Sequence, residues 1–495
     1  MGTTGTFVTE ASTGPSTGPS TGPAGPGQVE PQQVCVVGAG YVGLTAAAGL
    51  AELGHAVRCV ESNPGRLATL AGGGIPIHEP GLDELVAKHL GTGRLSFTGD
   101  IEAAMDGAEV ALLCVGTPPR PDGDPDLRQL GRAAAQAAAA ATRDVVLVVK
   151  STVPPGSCEA LELLAAGHAR PGVRASVASN PEFLREGQAM RDFFFPDRVV
   201  VGVDDPALEP VVAGLYPKEW PLLVCDRRSA ELVKYASNTF LAVKISFANE
   251  VAALCEALGA DHSKVLTGVG LDGRIGGDFL KPGPGFGGSC LPKDLSGFIA
   301  VAGSMGQEAT LARAVREVND GSRASLVGKL EAALGPLSGK RVGVLGLAFK
   351  PGTDDVRHSP ALGLVEHLVA LGASVQAHDP VASVPSLGDG QVDDPYEAAS
   401  GADAVVVVTA WPEYGDLDPG RLQRCMEGHV VLDAVNLLDA AAFGAAGLDV
   451  YGVGRGHPLS VAPVLWRPLE WMIDAEPTVS LDEAGPEDVD VLAGR

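Results

Sequence analysis

Residues 285–294 read Gly-Phe-Gly-Gly-Ser-Cys-Leu-Pro-Lys-Asp, which sets Cys290 in a glycine-rich turn just ahead of Lys293 and Asp294. Glycines permit close backbone approach and unusual φ angles. A neighbouring cation lowers a thiol pKa toward the nucleophilic thiolate. The pattern suits a covalent cysteine catalyst, and taken alone it suits a buried cysteine in a tight turn equally well. A second constellation is Lys234 and Asn238, four apart in a stretch free of Gly and Pro from 229 to 258. On a helix they share a face, where a lysine and an amide can stabilise an oxyanion; an exposed polar pair has the same spacing. A third is Ser-Asn-Pro-Glu-Phe-Leu-Arg-Glu-Gly at 179–187. Asn180 suits a helix N-cap and Pro181 the first helical position, which places Glu182 and Glu186 on one face of an expected helix. Arg274 and Lys281 flank Phe279 and, with Lys350, form the candidate basic cluster for an anionic substrate.

These residues need a frame. Residues 34–37 are a short apolar strand, followed by Gly38-Ala39-Gly40-Tyr41-Val42-Gly43, a helix over 44–53 and a second strand over 56–60 that ends in Glu61. Strand, glycine turn, helix, strand and terminal acid about 20 residues on form a dinucleotide-binding set. The glycines let a pyrophosphate reach the helix N-terminus. Glu61 suits ribose hydroxyls and repels a 2′-phosphate, which favours NAD over NADP, and Arg66 follows on the adenosine side. Further strands are expected over 109–115, ending in Gly116-Thr117-Pro118, and over 144–149, ending in Lys150-Ser151-Thr152. The Ala-rich run 133–141 reads as a crossover helix. Residues 229–258 permit a helix of about 45 Å at 1.5 Å per residue, apolar on much of its surface and placed between domains. A second α/β unit begins near Lys340, with strands expected over 342–345, 374–378, 404–409 and 430–433 and no full glycine fingerprint.

At 495 residues the chain is too long for one core. A formal net charge of −25 argues against non-specific binding to nucleic acid or an anionic membrane. The eight cysteines are scattered without a Cys-x-x-Cys pair, so neither a zinc site nor a disulfide framework is expected, and a reducing cytoplasm fits. No signal peptide and no apolar run near the ~18 residues of a membrane span is seen. Ser-Thr-Gly-Pro recurs three times within 12–23, and this Gly/Pro/Ser/Thr-rich start reads as a disordered tail.

Taken together the motifs resemble the nucleotide-sugar dehydrogenase family of UDP-glucose and UDP-mannosaminuronate type. The resemblance runs from about residue 33 to about 440. It rests on the glycine turn at 38–44, Ile-Pro-Ile-His-Glu-Pro-Gly-Leu at 75–82, Lys150–Pro154, and residues 179–187, 285–294 and Phe349-Lys350, in the family's order. Residues 179–187 look like the UDP-glucose 6-dehydrogenase branch. The resemblance implies an α/β fold with two Rossmann-like doubly wound domains joined by a central helical domain with a long helix. The expected divisions are a tail at 1–30, an NAD domain at 31–217, a central domain at 218–328, a nucleotide-sugar domain at 329–470 and an acidic tail at 471–495. It also implies a cytoplasmic enzyme, a homodimer or higher homo-oligomer, with no metal, nucleic-acid or membrane partner.

The implied reaction is a four-electron oxidation of a sugar C6 alcohol to the carboxylate, with two NAD⁺ and one water. Cys290 matches the nucleophile that carries the thiohemiacetal and thioester. Lys234 and Asn238 match the oxyanion-stabilising residues, Glu182 the carboxylate of thioester hydrolysis, and Thr152 and Asp294 the holders of the water and proton path. Gly38, Gly40, Val42, Gly43, Glu61, Arg66, Thr117, Thr152, Glu186, Lys293 and Arg357 match NAD contacts. Glu182, Phe183, Leu184, Lys234, Asn238, Arg274, Phe279, Leu280, Lys281, Gly287, Phe349 and Lys350 match nucleotide-sugar contacts, with Arg274 reaching a neighbouring subunit's substrate. One departure stands out. Many UDP-glucose members carry Asp-Gly-Arg-Asn where this chain has Asp433-Ala434-Val435-Asn436. That leaves TDP-glucose or a UDP-N-acetylhexosamine open as the substrate. A two-electron hydroxyacid dehydrogenase accounts for neither the Cys290 loop nor the second α/β unit. A non-catalytic NAD sensor does not account for Cys290, Lys234, Asn238, Glu182 and Asp294 together.

Overall fold

The computed structural model describes residues 29–120 and 123–455. The expected tails at 1–30 and 471–495 lie almost wholly outside them. Two parallel-sheet units flank a helical middle. The first sheet has the order β3-β2-β1-β4-β5-β6-β7-β8. Its strands are β1 Gln33–Val37, β2 Ala56–Val60, β3 Leu95–Thr98, β4 Val110–Leu113, β5 Val145–Val149, β6 Ala175–Ser179, β7 Val199–Gly202 and β8 Leu222–Cys225. The second has the order β11-β10-β9-β12-β13-β14. Its strands are β9 Arg341–Leu345, β10 Ser374–His378, β11 Gln391–Val392, β12 Ala404–Val407, β13 Val430–Asp433 and β14 Asp449–Gly452. Every pairing is parallel except β6 with β7. In each sheet the winding reverses beside the first strand, between β1 and β4 and between β9 and β12, and the crevice past the strand C-termini there is where an open α/β sheet takes ligands.

The residues explain the layering. Strands buried on both faces read as continuous apolar runs; β4 is Val-Ala-Leu-Leu and β5 Val-Val-Leu-Val-Val, every residue buried. The crossover helix Arg128–Ala140 buries a stripe of Leu130, Ala133, Ala134, Ala137, Ala138 and Ala140 against one face. Alanines let that helix lie close to the sheet. The strands expected over 109–115 and 404–409 are shorter, at Val110–Leu113 and Ala404–Val407, because the chain leaves each ladder for the ligand-side loop. Six further strands, β3, β6, β7, β8, β11 and β14, complete the sheets.

The long helix spans Arg227–Leu258, with the Asp226 side chain capping the Ser229 N–H. It packs against the helices Leu291–Ser304 and Thr310–Leu334 around Ala242, Phe286, Leu295, Ile299, Ala312 and Val315. Its first turns are tied to the first unit: Glu231 accepts the Gly156 and Cys158 N–H groups at 2.6 and 2.8 Å, and Arg227 bonds Asp204 and Glu162. Further along, Asn249 Oδ1 accepts the Gly283 N–H at 2.8 Å, and Lys244 donates to the Ile275 and Gly276 carbonyls at 3.1 Å. The helix thus fixes the loops that precede Cys290.

Candidate active site

The glycine turn after β1 has the geometry a dinucleotide requires. Gly38 has φ +102°, outside the range most side chains tolerate. A Cβ on Gly43 would fall 1.8 Å from the Gly38 carbonyl oxygen, so only glycine lets the helix Tyr41–Leu53 start this close to the strand. Above Gly40 there is open space, and no side chain caps the helix there. The first N–H groups of this helix are therefore left without a side-chain cap, which suits a pyrophosphate. Glu61 ends β2 with its carboxylate held by the Asn63 N–H at 2.8 Å and Arg66 Nε at 3.3 Å. Arg66 also donates to the Ala39 carbonyl, closing the adenosine side of the turn. Thr117 Oγ donates to the Thr152 carbonyl at 2.9 Å, linking the ends of β4 and β5. The residues present fit NAD.

The second unit treats its corresponding turn differently. Asp379, at the end of β10, accepts the Leu347, Ala348, Val381 and Ala382 N–H groups and the Trp411 indole N–H. Its carboxylate thus takes up the first N–H groups of the turn after β9, and Phe349 and Lys350 follow directly in the chain.

Between the two units, residues 285–290 bridge the gap. Gly285 and Gly288 have φ +101° and +82°. A Cβ on Gly288 would meet the Phe349 ring at 2.7 Å, and one on Gly287 the His358 carbonyl at 2.3 Å. The glycines thus seat the loop flush on the second unit, and Cys290 follows at the start of the helix Leu291–Ser304. Around it lie the residues expected from spacing. Lys234 Nζ pairs with Glu182 at 2.9 Å, both almost fully buried. Asn238 Nδ2 donates to the fully buried Asp294 at 2.6 Å, and Lys293 pairs with the other Asp294 oxygen. Lys234 and Asn238 are therefore buried and charge-assisted, each already holding a carboxylate. The Phe183 ring has two cations over it, with the Arg198 guanidinium 3.6 Å and Lys234 Nζ 5.4 Å from its centroid.

Two expectations are corrected here. Residues 180–187 form an irregular loop, and helix begins only at Ala189. Asn180 does not cap: its amide donates to the Val200 carbonyl, and its oxygen accepts from Lys150 and Tyr216. Glu79 holds the loop open by accepting the Gly187 and Ala189 N–H groups at 2.6 and 2.7 Å. Glu182 and Glu186 consequently face different partners. Leu184 N–H and Lys234 bind the first; Ser289 and Arg357 bind the second. Secondly, the thiol is not activated by the lysine after it. Lys293 is taken by Asp294, and burial pushes the Cys290 thiol above its ordinary value, with the Glu182 carboxylate adding to the rise and Lys234 opposing it.

Charge balance in the pocket follows from these pairs. Burial alone would raise the Glu182 carboxyl, but Lys234 and the Leu184 N–H hold it below its ordinary value. Burial alone would lower Lys234, but Glu182, Cys290 and Asp294 hold it above. Burial lowers Lys350, against the pull of Glu186. Of the expected basic cluster only Lys350 faces this pocket. Arg274 is 89% exposed and bound to Asp272, and Lys281 is exposed, while Phe279 takes a strained φ of +64° and Leu280 is buried. Spacing does not single out Glu79, Ser289 or Asp355, although Glu79 lies within the motif at 75–82 and Ser289 within that at 285–294.

Three domain profiles of the UDP-glucose/GDP-mannose dehydrogenase family match in order: the NAD binding domain over 32–219, the central domain over 228–321 and the UDP binding domain over 343–440. The chain belongs to this family. It is similar to the UDP-glucose 6-dehydrogenase of Rhizobium meliloti, 42% identical over 435 residues covering 86% of this chain and 99% of that one. That of Pseudomonas aeruginosa is 41% identical over 446 residues, covering 86% and 98%. Among solved structures, a UDP-glucose dehydrogenase from Pyrobaculum islandicum aligns with TM-score 0.80 at 43% identity, covering 88% of this chain and 100% of that one. As a family member the chain is an NAD-dependent oxidoreductase that acts on a nucleotide sugar. No helix among the described residues is long and apolar enough to cross a membrane.

Proposed function

We propose that the chain is a UDP-glucose 6-dehydrogenase that makes the C6 carboxylate through a thioester on Cys290. The supporting observation is the placement of Cys290 on the loop between the two sheets' ligand edges, beside a buried lysine paired with a buried carboxylate. NAD, when bound, accepts the hydrides that leave C6 in the two oxidations. Cys290 Sγ adds to the C6 aldehyde left by the first, and the adduct becomes a thioester in the second. An aldehyde needs such an adduct or its hydrate before it can lose hydride, and a positioned thiol supplies the adduct. Lys234 and Asn238 face the oxygen where negative charge develops. Glu182, Asp294 and Thr152 hold the water that cleaves the thioester, and the thiol is released.

Glu61 is the clearest test of the cofactor end. Glu61→Ala removes a charge-assisted acceptor worth about 1.5–3 kcal/mol, so NADH affinity falls about 10- to 100-fold in a fluorescence titration. Unchanged affinity contradicts the assignment.

The functional unit is a homodimer. On the long helix, Phe240, Phe247 and Leu254 recur every seven residues and are 62%, 46% and 59% exposed, with Leu258 beside them. A heptad-spaced apolar stripe on a surface helix calls for a second helix, and a second copy brings the exposed Arg274 toward its partner's site. Light scattering should give twice the mass of the 50.4 kDa chain; a monomer at micromolar concentration contradicts it.

A second reading keeps the chemistry and changes the sugar nucleotide. The loop after β13 carries Val435 where the family pattern has arginine, and its Ala434 carbonyl lies against Gly283 in the loop before Cys290. Turnover of UDP-glucose, TDP-glucose, UDP-N-acetylglucosamine and UDP-N-acetylmannosamine side by side decides between them. The account expects the highest kcat/KM for UDP-glucose, and preference for another member of the set favours the second reading.

A further inference from the structure

We propose that Ser289 and Glu186 form the path along which the Cys290 thiol gives up its proton, with Asp355 and Arg357 holding Glu186 ready to receive it. The inference rests on the covalent route above. Ser289 Oγ lies 3.5 Å from Cys290 Sγ and donates to Glu186 Oε1 at 2.8 Å. A hydroxyl that donates one hydrogen bond still has lone pairs to accept another, so the direction of donation runs from Sγ to Oγ to Oε1. Glu186 Oε2 is buried and accepts from no donor among the described residues. Its neighbour Asp355 is tied to Arg357, with Oδ1 accepting the Arg357 N–H and Nε–H and Oδ2 accepting Nε–H and Nη2–H, and its carboxylate also shares a hydrogen bond with the Glu186 carboxyl. Arg357 reaches Glu186 only at 3.4 Å.

The guanidinium therefore serves Asp355 first and leaves Glu186 as the carboxyl that exchanges a proton. Burial, and then the Asp355 charge, raise Glu186 to about 7, against the pull of Ser289 and Arg357. Lys350 also faces it from the second unit, with Arg185 and Glu79 beyond. On the Cys290 side stand Glu182, Lys234 and Asp294. Neither nearby carboxylate suits the task as well. Glu182 is held below its ordinary value by Lys234, and Asp294 is committed to Asn238 and Lys293. No hydrogen bond joins either to Sγ among the described residues.

In the step itself the Sγ–H proton passes to Ser289 Oγ as the Oγ–H proton passes to Glu186 Oε1. The freed Sγ electron pair forms the Sγ–C6 bond, and the C6–O6 π pair moves onto O6, which faces Lys234. No oxidant or reductant is consumed. Glu186 is here a positioning residue that acts through Ser289.

Alkylation of Cys290 by iodoacetamide in the resting enzyme, followed by peptide mass spectrometry across pH 5.5–10, tests the path. Wild type should show a rise in rate centred near 7, ahead of the thiol's own titration. Ser289→Ala should lose that lower limb and react ~100-fold more slowly at pH 8, the order of a general-base contribution. Glu186→Gln should lose it too, and Ser289→Thr, which keeps the hydroxyl, should retain it. Survival of the limb in Ser289→Ala or Glu186→Gln, or its loss in Ser289→Thr, overturns the path. The covalent route is checked separately. If fully alkylated wild type still oxidises the sugar 6-aldehyde, that route fails, whatever the limb shows.

Discussion

Cys290→Ser should stop acid formation. A serine hydroxyl at this site has no base strong enough to make it a nucleophile, and its adduct with the aldehyde would have to pass through an ester. Acid production should fall by ~10³-fold or more, in the range seen when a covalent nucleophile is removed. The packing should survive, because the replacement is nearly isosteric and the loop is held by Gly287 and Gly288 against His358 and Phe349. The first oxidation requires no thiol, so a trace of sugar aldehyde should accumulate. The product is read by chromatography of the nucleotide sugars. Acid made at the wild-type rate contradicts the covalent assignment outright.

Replacing Lys234 should damage both stability and turnover. Lys234→Met keeps most of the side chain's apolar length but strands the buried Glu182 carboxylate. Breaking one side of a buried pair costs about 3–5 kcal/mol, because the remaining charge has neither water nor partner. The sign of the pH dependence follows. In wild type, Glu182 has a folded pKa below its ordinary 4.5, so its share of stability is present above that value and is lost as pH falls through the folded pKa. Lys234 has a folded pKa above its ordinary 10.5, so its share is present below that value and is lost as pH rises through the folded pKa. The Lys234→Met deficit should therefore be largest near neutral pH and shrink as pH falls, because burial without Lys234 raises the Glu182 carboxyl and lets it take up a proton. Lys234→Met combined with Glu182→Leu should recover most of the stability and none of the acid formation. Denaturant midpoints measured at pH 4 and pH 7 check this. A deficit equal at both values would show that the pair is not what stabilises the pocket.

Much of this site is legible in the sequence. The glycine turn at 38–43 and the acid at Glu61 have fixed spacing imposed by covalent geometry, so the cofactor end could be read directly. Lys234 and Asn238 were found because a 3.6-residue period puts them on one face, and no Gly or Pro interrupts the helix. Residues 180–187 misled for a physical reason. Asn-Pro-Glu is a local helix-start signal, but the loop's N–H groups are captured by Glu79, about a hundred residues earlier, and Asn180 is drawn into a buried bond with Val200. Local preference lost to distant partners. The Cys290 thiol follows the same logic. Lys293 is a near neighbour in sequence, yet Asp294 neutralises it, and burial decides the direction. Ser289, Asp355 and Glu79 carry no motif of their own as single residues. Their roles depend on three-dimensional partners that spacing cannot supply.

The central claim is that one active site carries a sugar through two oxidations without releasing it as aldehyde. The most direct measurement is the amount of NADH formed per UDP-glucose consumed, run to completion with excess NAD⁺ and with the sugar product identified by mass. The account predicts about two NADH per sugar and a C6 carboxylate as the only product in quantity, as the two hydride losses of the proposed thioester route require. One NADH per sugar with free aldehyde, or no consumption of UDP-glucose, would contradict it.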